Sequence, residues 1–120
     1  MPLTDYPECF APGVNENDLQ VMDALVCILE AGKFAHTSKV LEEALAIAGP
    51  KLRACVNYLR CHSVPIASGS SGYWLATRPD GLDTTICHLE ERRRSILAVI
   101  DGLYRARKKL EGGFQLDFSD

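Results

Sequence analysis

The sequence predicts a mainly α fold with a small β-hairpin and a long C-terminal helix able to form a coiled coil. Three observations carry this. Apolar residues recur every three or four positions between Leu19 and Leu59. The period then falls toward two, with Val64, Pro65 and Ile66 on one side of a Gly/Ser-rich stretch and GYWLA on the other. From Leu82 to Leu110 a heptad seam runs without a slip.

Residues 1–16, with Pro2, Pro7, Pro12 and Gly13, show no period and read as a flexible leader. A first helix is expected to begin at Asn17 or Asp18, either able to cap it, with Leu19, Met22, Val26 and Leu29 as its apolar stripe and Gly32 as its stop. Thr37 or Ser38 caps a second, shorter helix, where Val40, Leu41, Ala44 and Leu45 face inward and Lys39, Glu42 and Glu43 outward. A turn around Ile47 leads to Gly49 and Pro50, proline being favoured at the first position of a helix. On that third helix Leu52, Cys55, Val56 and Leu59 share one side. Ala54, Asn57 and Cys61 lie opposite, flanked by Arg53 and Arg60 and by Lys51 and Tyr58.

The hairpin is expected to pair a strand at Val64–Ile66 with one at Gly72–Ala76 through an Ala67–Ser71 loop, Trp74 packing inward and Tyr73 outward. The last helix should span Pro79 to about Leu110. Its seam is Leu82, Ile86, Leu89, Arg93, Ile96, Ile100, Leu103, Arg107 and Leu110, stepping by four and three. About thirty residues make a helix of about 45 Å, longer than a core of this size covers, so the seam is read as a dimerisation surface. Gly112 and Gly113 end it, and residues 112–120 read as a frayed tail.

Composition narrows the function classes. A 120-residue chain holds one core and perhaps one appended element. No apolar run reaches a membrane span, and the start MPLTDYPECF lacks the basic and apolar segments of a secretory signal, so a cytoplasmic location is expected. An odd number of cysteines, five, then reads as free thiols. Neither Cys61-His62 nor Cys87-His88 has metal-site spacing, and no catalytic motif is present, so neither metal, cofactor nor enzymatic activity is expected.

The net charge of −3 hides an uneven distribution. Residues 1–48 hold eight acids against two bases, and residues 80–120 eight against seven. Between them, residues 49–79 hold Lys51, Arg53, Arg60 and Arg78 with no acid at all. Such a local reversal of sign suits an anion-facing surface.

The segments TSKVLEEAL and KLRACVNYLR, followed by VPIASGSSGYWLA, give this order a likeness. Residues 17–78 resemble the winged helix-turn-helix family, particularly its biotin-repressor-like branch and the small regulators of bacteria and phages. The resemblance implies that the third helix, residues 50–62, lies in the major groove of double-stranded DNA. It assigns Arg53 and Arg60 to guanine edges or phosphates and Asn57 to adenine, with Thr37, Ser38, Lys39 and Lys51 at phosphates. Ser68, Ser70 and Ser71 would form the wing tip, which here carries no Arg or Lys. The expected function is therefore a dimeric, non-catalytic transcriptional regulator. The alternative is a protein-interaction module engaging a polymerase, replication or nuclease partner.

Overall fold

The computed structural model describes residues 14–113; the leader up to residue 13 and the segment FQLDFSD lie outside them. Four helices, α1 (Glu16–Ala31), α2 (Ser38–Leu45), α3 (Gly49–Cys61) and α4 (Asp83–Glu111), accompany two strands, β1 (Ile66–Gly69) and β2 (Gly72–Leu75). The chain divides into two compact units, one ending at Thr85 and the other starting at Ile86.

Helix α1 starts earlier than expected because Asn15, not Asn17 or Asp18, is its cap. The Asn15 side chain accepts from the Asp18 amide at 2.9 Å, and the Asp18 carboxylate accepts from the Asn15 amide at 3.1 Å. This reciprocal pair satisfies two of the free amides of a first turn. The buried row accordingly runs Asp18, Met22, Leu25, Leu29, while Leu19, one residue and about 100° away, stays exposed. Gly32 ends the helix in extended backbone, and a Cβ there would run into the imidazole of His36.

Thr37 caps α2, its hydroxyl accepting from the Val40 amide at 3.3 Å. Both α2 and α3 close on a left-handed residue that is not glycine, Ala46 (φ 53°) and Ser63 (φ 69°). In each turn the next residue's amide reaches back five positions, Ile47 to the Glu42 carbonyl at 3.1 Å and Val64 to that of Leu59 at 3.0 Å. Each turn thereby delivers an apolar side chain, Ile47 or Val64, to the core. That core consists of Met22, Leu25, Leu29, Leu41, Leu52, Cys55, Val56 and Ile66. Val40 and Ala44, expected inside, are exposed, because an eight-residue helix turns only one narrow side inward, and that side carries Leu41 and Leu45.

The hairpin is tighter than the sequence suggested. Ile66 pairs with Leu75, Ala67 with Trp74, Ser68 with Tyr73 and Gly69 with Gly72, leaving Ser70 and Ser71 as a two-residue turn. Ala67 and Ser68, expected in the connecting loop, extend the ladder instead. Residues on one face of the pair alternate, so Ile66, Tyr73 and Leu75 lie toward the core while Trp74 lies on the other face. The inward assignment of Trp74 is therefore reversed. A third short stretch joins the sheet: His36 and Tyr73 exchange both backbone hydrogen bonds, at 2.9 and 2.8 Å. Gly72, at φ +113°, permits this, since a Cβ would meet the His36 carbonyl.

After β2 the chain makes a 3₁₀ turn, Pro79–Leu82, before α4 begins, so Pro79 does not itself open the α-helix. Thr85 in the first turn of α4 is buried, accepting from the Ser68 amide at 3.1 Å. Cysteines 27, 55 and 87 are free, but Cys61 is disulfide-bonded, which corrects the expectation of free thiols. Burial pushes the Cys55 thiol up, as befits an apolar core residue. Among the described residues no helix is long and apolar enough to cross a membrane.

Candidate nucleic-acid interface

Helix α3 exposes one narrow face, because Leu52, Cys55 and Val56 turn the opposite one into the core. Arg53 and Asn57, four residues apart, form a single outward row. Arg53 and Asn57 are exposed and enter no ion pair or side-chain hydrogen bond among the described residues. The Arg53 guanidinium and the Glu42 carboxylate both reach over Gly49, at the α2–α3 turn. Lys39 is exposed on α2.

The other cations of the acid-free window have internal duties. Arg60 is half-buried; its Nε donates to the Ile66 carbonyl at 2.9 Å and its Nη2 to Ser68 Oγ at 3.1 Å. Burial pulls its pKa below the ordinary arginine value, an effect Tyr73 opposes. Arg60 thus pins the end of α3 to β1, and Ser68 is held between it and Thr85 rather than at the hairpin turn. Lys51 forms an ion pair with Asp18, joining α3 to the first turn of α1. The Lys51 ammonium, followed by the Asn15 amide, holds the Asp18 carboxyl below the usual carboxylate range. Arg78 pairs with Asp80 at 3.4 Å on an exposed surface, a contact worth little.

Of the polar residues around α2, Thr37 spends its oxygen on the helix cap and Ser38 donates to Glu42 at 3.1 Å. Ser70 and Ser71 lie exposed at the hairpin turn. The candidate positions therefore separate into an outward group, Lys39, Arg53, Asn57, Ser70 and Ser71, and a group engaged within the fold, Lys51, Arg60 and Ser68. What the fold brings together at this surface is one cation and one amide a single helical turn apart, a set that can hydrogen-bond base edges or phosphates.

A second feature lay beyond sequence reasoning. Phe34, 83% exposed on the α1–α2 loop, and Trp74 line an open hollow together with Lys33, Ser71 and Leu75. An alternating strand signals only that Trp74 and Tyr73 diverge. Which one meets the hollow depends on the distant α1–α2 loop. Among the described residues no three His, Cys, Asp or Glu side chains are placed to hold a metal ion. No family model matches the chain, nor does any curated protein or solved structure.

Proposed function

We propose that the chain is a non-catalytic, sequence-specific DNA-binding protein of winged-helix design, a small transcriptional regulator of bacterial or phage type that dimerises through α4. The observation that carries this reading is the outward row of α3, where Arg53 and Asn57 stand exposed beside a tight helix–turn–helix connection. The bridge between His36 and Tyr73 supports it as well, because it ties the hairpin to the segment just before α2, where this design would need a wing. Net acidity elsewhere would limit non-specific binding, leaving discrimination to the paired α3 helices.

Selection from random duplexes by the full chain should enrich a two-fold symmetric site. On that site Arg53→Ala or Asn57→Ala should cost about 1–3 kcal/mol of discrimination at one base pair. Recovery of no enriched sequence would defeat the proposal.

A protein-interaction module is the second reading, favoured by the hollow beneath Phe34 and Trp74 and by a hairpin turn without a base. Pull-down that survives Lys39→Glu with Arg53→Glu but is lost with Phe34→Ala would select it.

A further inference from the structure

The apolar stripe of α4 broadens at one place. A heptad assignment puts Ile86, Arg93, Ile100 and Arg107 at a positions and Leu89, Ile96, Leu103 and Leu110 at d positions; Leu82, expected to open the seam, is half-buried in the 3₁₀ turn before α4 and is not part of it. From Ile96 to Tyr104 the flanking e and g positions turn apolar too, through Leu97, Val99 and Tyr104, each at least half exposed. The two seam arginines behave alike. Arg93 turns back onto Glu90 at 2.7 Å, and the Arg107 guanidinium lies 4.8 Å from the ring centre of Tyr104. Both charges leave the seam on its e flank, three residues back, while their aliphatic stems can still cover it.

We propose that α4 pairs antiparallel with a second copy of itself, about a two-fold axis at Ala98; this rests on the reading of α4 as a dimerisation helix and adds its direction. In that register Ile96 packs on the partner's Ile100, and Val99 and Leu97 each meet their own counterparts, so the broad part of the stripe closes on itself. Arg93 lies across from the partner's Leu103, and Arg107 across from the partner's Leu89. No arginine faces another.

A parallel pair in register would set Arg93 against Arg93 and Arg107 against Arg107, two layers of like charge. Ile at a with Leu at d suits parallel pairs, but the arginines and flanks weigh the other way. Charge agrees: residues 83–97 hold three acids and three bases, whereas residues 98–111 hold two acids and four bases. Antiparallel pairing sets the positive half against the neutral one and brings Glu90 of one copy to the Tyr104–Arg107 stack of the other. It also separates the two Asp83 residues, where the DNA-reading units attach, by about 45 Å along the pair at about 1.5 Å per residue.

Oxidative cross-linking of the full chain tests the direction, with the exposed Cys27 and Cys87 replaced by serine. Val99→Cys should cross-link to itself, with Leu97→Cys as a second variant at the axis, while Leu110→Cys should not. Cross-linking by Leu110→Cys and by neither axial variant would establish a parallel pair and overturn the proposal. Sedimentation of the reduced variants separates the remaining outcomes. A dimer in which no position cross-links places the interface elsewhere and overturns the antiparallel pairing alone; a monomer overturns the dimerisation reading itself.

Discussion

The two units of the molecule use the same apolar periodicity to opposite ends. Up to Thr85, residues three and four apart vanish into a shared interior: Leu25, Leu41 and Leu52 are each 0% exposed. Along α4 the same spacing leaves Leu103 66% and Ile96 58% exposed. An amphipathic pattern says that a face wants covering and nothing about what covers it. In the first unit the cover is local, because the tight turn at Ala46 brings α3 back onto α2 and the one at Ser63 brings β1 back onto α3. No such turn interrupts α4, and its stripe stays exposed.

The contrast can be tested first by truncation. Leu41→Ala should cost about 2–5 kcal/mol, since it removes a fully enclosed side chain. Ile100→Ala should leave the unfolding of the first unit within about 0.5 kcal/mol. Denaturant melts followed by Trp74, the single tryptophan, report on that unit alone. Equal destabilisation by the two variants would erase the distinction.

A smaller effect separates the two arginines of α3. Arg60→Ala removes bonds to Ile66 and Ser68 and should cost about 1–3 kcal/mol of stability, with the Ile66 carbonyl left partly unsatisfied. Arg53→Ala should change stability by less than about 0.5 kcal/mol and act on DNA binding instead. Below the effect of Arg60→Ala, Ala46→Gly should stabilise the first unit by up to about 1 kcal/mol, because the left-handed φ of 53° strains any residue with a Cβ.

The last prediction concerns acid. The folded carboxyl of Asp18 titrates below its ordinary 3.8, so its contribution is complete above that value and is lost as pH falls through the lower folded one. Melts of the native chain and of Asp18→Asn, taken from about pH 6 down to about pH 2, should therefore differ at the upper end and converge at the lower.

Much of this fold was legible because its signals are local. Thr37 as a cap and Pro50 at the start of α3 need only their own turn to be understood. Asn15 was missed since three asparagine and aspartate residues compete within four positions, and only the reciprocal bond with Asp18 picks one. The candidate site was less legible. Residue type places Lys51, Arg53 and Arg60 together as cations, but what each does depends on partners far along the chain. Asp18 stands 33 residues from Lys51, and the strand that engages Arg60 forms only when Ala67 and Ser68 join the ladder. Charge counting therefore overstates the outward charge of α3.

Sedimentation velocity of the full chain, alone and with random-sequence duplex, tests the account most directly. A dimer of twice 13.2 kDa that moves into a faster DNA complex is the predicted result. A monomer whose profile the duplex leaves unchanged would contradict it.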